Sequence, residues 1–275
     1  MRLELPLDGG LRLTIADEDR AGDYPTARLG KGLLLADGEQ ELAEEGVGFG
    51  VPVLKRGRQT MFPGKIDLVP LRTGADWAIR AAFAMDLAER LAGGGDTVES
   101  SPLYAAKDAL AAAYRRSRLL RRPLGAVSCG LRRLFRWETT YVQTEPAGVV
   151  TVQATAGGPG HVHVAVGLGG LRGDGITEVI VMNEQGAGPF DGYRDSDGVA
   201  LSGSAIGEWQ RVRAAEACFV CSARSISFCL RQAPPALLYR GRELVGSRLA
   251  WAGFAYVLPP DTRRFEYDVA VRRAG

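Results

Sequence analysis

The two histidines of the chain, His161 and His163, are separated by one residue in the segment His161-Val-His163-Val. This alternation is typical of a β-strand with one polar and one buried face. Two imidazoles on one strand face could chelate a metal ion or form an acid–base pair near neutral pH. The alternative is an ordinary polar strand face. Since the spacing identifies no third metal ligand, we predict no metal site and take both histidines as catalytic candidates.

The acid-rich segment 191–198 is the second candidate site. Its carboxylates could accept hydrogen bonds from ligand hydroxyl groups, and its tyrosine could stack on a sugar ring or act as a base. It is similar to the middle of a calcium-binding loop, but the twelve-residue pattern and closing glutamate of that loop are missing. The alternative is therefore a solvated turn. The catalytic candidate here is Tyr193, and the ligand-binding candidates are Asp191, Arg194, Asp195 and Asp197.

The third candidate is a basic segment with eight arginines and no acidic residue between Asp108 and Glu138, in a chain whose net charge is only +2. Guanidinium groups pair with carboxylates and phosphates. The segment could therefore bind an acidic ligand, or it could pair with the acidic loops of this chain or of a second subunit. The near-neutral net charge and the lack of a nucleic-acid motif disfavour nucleic acid as a partner. The ligand-binding candidates are Arg115, Arg118 and Arg136.

Cys218 and Cys221 have the C-x-x-C spacing of zinc sites and redox motifs. Their flanks are predicted to be strands, and residues three apart on a strand point to opposite faces. We therefore predict buried, reduced cysteines.

Gly46, Gly48 and Gly50 form G-x-G-x-G, which is not the dinucleotide-binding fingerprint. A strand face without side chains allows either tight packing or the approach of a ligand. We favour packing. The alternative is a ligand floor with Lys55, Arg58 and Gln59 at its rim.

Most of the chain is predicted to form short strands separated by glycine, proline and aspartate. One long basic helix is predicted near residues 102–122, with a serine cap, Pro102 in its first turn and Pro123 after its end. The predicted fold is mainly β: a large antiparallel β-sandwich in a single domain, 1–275, with sub-lobes 1–95 and 130–275 bridged by the helix. Among the predicted strands are Leu11–Ile15, Lys65–Leu71, Thr177–Met182, Ala217–Cys221, Ser225–Arg231, Arg248–Leu258 and Arg263–Val271.

Composition excludes two classes of chain. A hydrophobic content of 46% and a charged content of 24% are those of a globular protein and exclude disorder. The apolar stretch Leu244–Leu258 contains Arg248 and is shorter than the ~20 residues that cross a bilayer, so no membrane span is predicted. The first eight residues do not resemble a secretory signal, which predicts a cytoplasmic protein.

The C-terminal stretch Leu258-Pro-Pro-Asp-Thr262, followed by Phe265-Glu-Tyr-Asp268, resembles the closing turn and strand of galactose-mutarotase-like supersandwich proteins. That fold also occurs in aldose epimerases and in polysaccharide lyases. The resemblance implies a supersandwich and a carbohydrate-related function. The epimerases use two histidines far apart in sequence and a glutamate base. Because His161 and His163 are two residues apart, that catalytic arrangement is not carried over.

Two functions follow as hypotheses. The first is a carbohydrate-binding or carbohydrate-active protein, epimerase-like or lyase-like, whose partner is a carbohydrate or an acidic small molecule. The alternative is a non-enzymatic interaction or anion-binding protein that uses the basic segment Arg115–Arg136, including the formation of a homo-oligomer. Neither hypothesis calls for a cofactor, and whether the protein is an enzyme stays open.

Overall fold

A computed structural model of the chain describes residues 1–17, 29–57, 59–73, 76–93, 96–97, 138–172, 175–245 and 249–273. These residues form twenty β-strands and three 3-10 turns, at Asp8–Gly10, Gly203–Ala205 and Ser222–Arg224. The helix predicted near residues 102–122 lies outside the described residues. Within them, no helix is long and apolar enough to cross a membrane.

The strands of the first hundred residues are β1 (Arg2–Pro6), β2 (Leu11–Ala16), β3 (Leu34–Asp37), β4 (Gln40–Glu41), β5 (Gly48–Arg56), β6 (Gln59–Thr73), β7 (Asp76–Gly93) and β8 (Asp96–Thr97). The next group is β9 (Glu138–Gln143), β10 (Val149–Ala156), β11 (His161–Gly167), β12 (Ile176–Gly186), β13 (Gly192–Asp195) and β14 (Ala200–Ser202). The last group is β15 (Gln210–Arg211), β16 (Glu216–Cys221), β17 (Ile226–Arg231), β18 (Leu237–Val245), β19 (Leu249–Leu258) and β20 (Arg264–Arg273).

The strands form two sheets. A four-stranded sheet has the order β1-β2-β3-β4. The second sheet has sixteen strands, in the order β14-β13-β16-β17-β20-β11-β10-β7-β6-β5-β12-β19-β18-β15, with β8 and β9 paired to β7. The strand pairs with a defined register in the described residues are antiparallel, for example β11 with β20 and β12 with β19. The prediction of a mainly β, antiparallel fold is therefore confirmed.

Two compact units divide the chain. The first combines Met1–Leu87 with Gln143–Gly275, so strands from both ends of the sequence share it. The second is Ala88–Val142; in its described residues β8 pairs with the end of β7 through Ala92 and Thr97. The bridging role predicted for a helix in this region stays a prediction.

Within the first unit, the large sheet doubles back so that distant strands face each other across an aromatic core. Phe254 of β19 contacts Phe219 of β16, with ring centroids 4.9 Å apart. Tyr256 of β19 contacts Tyr267 of β20 at 4.9 Å. Six or more strands separate these partners in the sheet order. Burial of such large apolar rings is a main source of folding free energy.

A buried asparagine connects the two facing parts of this sheet. Asn183 of β12 accepts hydrogen bonds at Oδ1 from the hydroxyl of Tyr267 (2.6 Å) and from the backbone N–H of Gly50 (3.2 Å). Its own amide nitrogen donates to the carbonyl oxygen of Val181. The neighbouring Gln185 accepts from the backbone N–H of Leu35, which lies in the small sheet. Because all these groups are buried, each hydrogen bond satisfies a polar atom that water cannot reach.

Tight packing, the interpretation favoured for Gly46, Gly48 and Gly50, is confirmed. A Cβ on Gly46 would lie 2.7 Å from the carbonyl oxygen of Gln185, and one on Gly48 would lie 2.8 Å from the backbone of Gly32. Gly48 and Gly50 also have φ of +94° and +80°, a region that side chains rarely adopt. The glycines therefore allow backbones to approach each other and do not form an open ligand floor.

The prediction of reduced cysteines is wrong for one residue of the C-x-x-C pair. Cys218 forms a disulfide with Cys229, its directly opposite neighbour on β17, with Cα atoms 4.0 Å apart. Cys221 is buried and is not part of this disulfide. The predicted divergence of Cys218 and Cys221 is confirmed, because Cys221 packs in the main core and Cys218 in a separate cluster. The sequence could not show the partner, since pairing across strands depends on the register.

Gly253 of β19 gives a test of the packing beside β12. An added Cβ would collide with the carbonyl oxygen of Asn183 and lie 2.6 Å from Cα of Glu184. We expect Gly253→Ala to lower the free energy of unfolding by about 1–3 kcal/mol in urea denaturation, because backbone atoms cannot move aside easily. Gly169→Ala is the control, since no atom lies within 4 Å of its added Cβ; we expect a change within about 0.5 kcal/mol. Equal effects of the two substitutions would contradict this packing.

Candidate functional site

The two histidines share the outward face of β11, as their alternation with valine predicts. Val162, Val164 and Val166 are fully buried, whereas His161 is exposed. Nδ1 of His163 lies 3.0 Å from Oδ1 of Asp268, its partner on β20. A catalytic role for either histidine stays a prediction.

The tyrosine of the acid-rich segment lies inside the protein. Tyr193 is 3% exposed, and its hydroxyl donates to Oδ2 of Asp195 at 2.9 Å. The guanidinium carbon of Arg240 lies 4.4 Å from the centre of its ring. Burial, followed by the hydrogen bond to Asp195, raises the pKa of Tyr193 well above its usual value. A catalytic role for Tyr193 stays a prediction.

The aspartates of this segment shape a turn. Oδ1 of Asp195 accepts the backbone N–H groups of Asp197 (3.1 Å) and Val199 (3.0 Å), which is the pattern of an aspartate-stabilised turn. Asp191 and Asp197 are exposed. The geometry therefore gives Asp195 a structural role, and ligand binding by the segment stays a prediction.

Among the residues that the structure describes, the predicted site residues lie at two separate places, the histidines on β11 and the acid-rich segment at β13. The sheet register aligns Arg194, Cys218, Cys229, Ala270 and His161 in one row across five neighbouring strands. Four steps between strands of about 4.8 Å each separate Arg194 from His161 by roughly 19 Å. That distance is beyond joint contact with one small reacting group. Arg115, Arg118 and Arg136 lie outside the described residues.

A different group of ionisable residues, which sequence reasoning missed, surrounds Glu184 of β12. This strand lies between β5 and β19, and Glu184 is paired with Gly48 and Gly253, whose lack of side chains leaves it space. Glu184 is 5% exposed. The equally buried Lys31 donates from Nζ to the carbonyl oxygens of Glu45 (3.4 Å) and Gly46 (3.2 Å). A buried cation therefore accompanies the buried carboxyl groups.

Burial controls the protonation of these carboxyl groups. It raises the pKa of Glu184 to about 7, and the negative charge of Glu243 adds to the increase. The positive charge of Lys31 and a backbone hydrogen bond from Val47 lower the pKa but do not cancel the effect of burial. Burial also raises the pKa of Glu45, where the backbone of Ala250 and the charge of Lys31 oppose it. Glu184 can therefore hold or release a proton near neutral pH, as a general acid or a pH-sensing group does.

Two stacked tryptophans lie next to this group. The rings of Trp209 and Trp251 are 4.6 Å apart at 15°, and the indole N–H of Trp251 donates to Oε2 of Glu243 at 3.2 Å. Glu243 and Trp251 face each other on β18 and β19. Trp209 remains 36% exposed. We call Trp209, Trp251, Glu243 and Glu184 the tryptophan–glutamate cluster.

The backbone around the cluster is specialised. A Cβ on Gly241 would lie 2.8 Å from the ring of Trp251 and 2.9 Å from the backbone nitrogen of Trp209, so a glycine is needed at this position. Trp209 itself has a φ of +32° and is one of three non-glycine residues with positive φ in the described chain. Strained backbone of this kind concentrates at functional sites.

Sequence reasoning missed the cluster because its members come from distant segments. Pairing of β12, β18 and β19 brings them together, and that pairing is visible only in the fold. One local signal was present: the polar run Asn183-Glu184-Gln185 directly follows the apolar strand segment that ends at Met182. A strand that continues through three polar residues needs buried partners for them.

No protein-family model matches the chain, and no curated protein sequence matches it. Among solved structures it is similar to alpha-N-acetylgalactosaminidase NagBb from Bifidobacterium bifidum, in complexes with GalNAc (12% identity, TM-score 0.48) and with Gal-NHAc-DNJ (11%, 0.49). Each match covers 98% of this chain and 35% of NagBb, so the chain spans about a third of that enzyme's length. The protein HI1317 matches at 8% identity and a TM-score of 0.35, and the match covers 99% of this chain and 100% of the HI1317 chain. These values are too low to transfer a function.

Glu184 predicts a specific pH dependence of stability. Its pKa rises from an ordinary 4.5 to about 7. Between pH 4.5 and pH 7 the folded state therefore keeps a proton that the unfolded state has lost. Stability conferred by the protonated form is therefore lost as pH rises through this window, by on the order of 3 kcal/mol. We expect Glu184→Gln, which cannot ionise, to lack this loss when urea unfolding is measured between pH 4.5 and 8.

Glu178→Gln, at a partly exposed position of the same strand, is the control and should follow the wild type at each pH. Parallel pH profiles of wild type and Glu184→Gln would show that Glu184 is not the titrating group.

Proposed function

We propose that this protein binds carbohydrate on the face formed by β12, β18 and β19, with Trp209 and Trp251 as the platform. The observation that carries the proposal is a partly exposed, stacked indole pair whose inner member is hydrogen-bonded to a glutamate. A sugar ring presents an apolar C–H face together with polar hydroxyl groups. An aromatic surface bordered by hydrogen-bond acceptors is complementary to both.

The acceptors are carboxylates. Glu243 borders the platform, and the exposed Glu208 directly precedes Trp209 in the chain. Ionised carboxylates accept hydrogen bonds and donate none, so they suit the hydroxyl groups of a neutral sugar. They would repel an acidic sugar. We therefore narrow the carbohydrate hypothesis to neutral glycans at this site; an acidic ligand would need the basic segment, which lies outside the described residues.

The platform is prepared for binding before a ligand arrives. The hydrogen bond to Glu243 fixes the ring of Trp251, and the stack fixes Trp209 against it. A surface that is already ordered loses little conformational entropy on binding, so more of the interaction energy becomes affinity.

The test is a panel of neutral and uronic-acid glycans, followed by calorimetry with the best ligand. We expect neutral glycans to bind, and Trp209→Ala and Trp251→Ala to weaken binding at least tenfold, because a central tryptophan often contributes about 2 kcal/mol or more. Trp77→Ala is the matched control: this tryptophan is 51% exposed on β7, outside the cluster, and its loss should leave affinity unchanged. Circular dichroism would confirm that each variant is folded.

Failure of all neutral glycans to bind would refute the proposal. So would a bound glycan whose affinity is the same for wild type, Trp209→Ala and Trp251→Ala.

A further inference from the structure

A second group of ligating side chains lies on β16 and β17, away from the tryptophan–glutamate cluster. Cys218 and Cys229 are direct neighbours across the two strands. Glu216 precedes Cys218 by two residues, so strand alternation places its side chain on the same face. The two sulfur atoms and a carboxylate oxygen of Glu216 all lie within 4.8 Å of one another.

The surroundings of these sulfurs differ from those of a core cysteine. Cys218 and Cys229 pack with Ala270 in a small cluster separate from the main core. Cys221 points to the opposite side, into the main core. The side chain of Glu216 is 24% exposed, so it connects the nearly buried sulfurs to the surface. An ion could reach this position without unfolding the core.

We propose that the reduced form of this site binds a thiophilic divalent cation such as Zn²⁺ through Sγ of Cys218, Sγ of Cys229 and the carboxylate of Glu216. Zinc prefers four ligands in a tetrahedron and accepts this combination of sulfur and oxygen atoms. Zn–S bonds of about 2.3 Å place two thiolates about 3.8 Å apart in such a site. Directly opposite strand residues can span that separation while their strands stay paired. A water molecule would take the fourth position.

Conversion of the disulfide to the metal-binding form requires one external reductant. A dithiol supplies two electrons and two protons to the Cys218–Cys229 disulfide and is itself converted to a disulfide. The two thiols then lose their protons as the cation binds the thiolates. A reducing compartment would maintain the dithiol form, and an oxidising one the disulfide. The disulfide and the metal site are thus two alternative states of the same residues.

Two arginines make the carboxylate a suitable third ligand. Glu216 accepts hydrogen bonds from Nε of Arg231 (2.9 Å) and Nη1 of Arg272 (3.2 Å). These hydrogen bonds hold the carboxylate beside two guanidinium groups. Two thiolates, one carboxylate and a divalent cation leave a net charge of −1. The neighbouring guanidinium groups would compensate it.

The experiment uses the full chain, reduced with dithiothreitol and desalted without oxygen. Zn²⁺ is titrated in competition with a chromophoric chelator, and Cd²⁺ is followed by its ultraviolet thiolate charge-transfer band. We expect the reduced protein to bind one equivalent and the oxidised protein none. Binding of less than half an equivalent by the reduced protein, or equal binding by both forms, would overturn the proposal.

Variants assign the ligands. Cys218→Ser and Cys229→Ser should abolish the cadmium band, and Glu216→Gln, which keeps both sulfurs, should weaken zinc binding at least tenfold. Cys221→Ser is the matched control, because this cysteine lies on the opposite face and should not affect binding. Unchanged affinity in Glu216→Gln, or loss of binding in a folded Cys221→Ser protein, would contradict the assignment. Neither result depends on glycan binding by the tryptophan–glutamate cluster.

Discussion

Three consecutive buried polar residues in β12, Asn183, Glu184 and Gln185, are the constraint on which the rest of the structure depends. Asn183 joins β12 to Tyr267 of β20, a strand from the facing part of the large sheet. Gln185 accepts a hydrogen bond from the backbone N–H of Leu35 in the small sheet and donates one to the carbonyl oxygen of Leu33, which directly precedes that strand. In a buried environment each lost partner would leave a polar group unsatisfied. The register of β12 is therefore specified by polar contacts in addition to apolar burial.

The same run of residues explains the position of the proposed site. Strand alternation sends Asn183 and Gln185 to one face of the sheet and Glu184 to the other. The contacts that hold the first two residues thus also fix the glutamate, which is paired with Gly253 of β19. Trp251 lies two residues before Gly253 on that strand and is paired with Glu243 of β18. Burial raises the pKa of Glu184, and the stacked tryptophans provide the adjacent aromatic surface. The residues that stabilise the fold and the glutamate of the candidate site therefore lie on the same strand.

Local patterns predicted the strands well where burial alternates or apolar residues run together. Ala217–Cys221 and Arg248–Leu258 agree with β16 and β19 to within one residue. The prediction for β12 ended at Met182 because three polar residues break the apolar pattern, although the strand continues to Gly186. The buried partners of those residues come from distant segments, as do the members of the tryptophan–glutamate cluster and the partner of Cys218. Register and long-range pairing decide all of these, and a linear pattern contains neither.

A double-mutant cycle between Asn183→Ala and Tyr267→Phe tests most directly whether the buried hydrogen bond joins the facing strands. Urea unfolding would give the free energy of unfolding of the wild type, both single variants and the double variant. The structure predicts that Tyr267→Phe costs about 1 kcal/mol or more in the wild-type background and much less once Asn183 is absent. Strictly additive effects would contradict the central role of this contact.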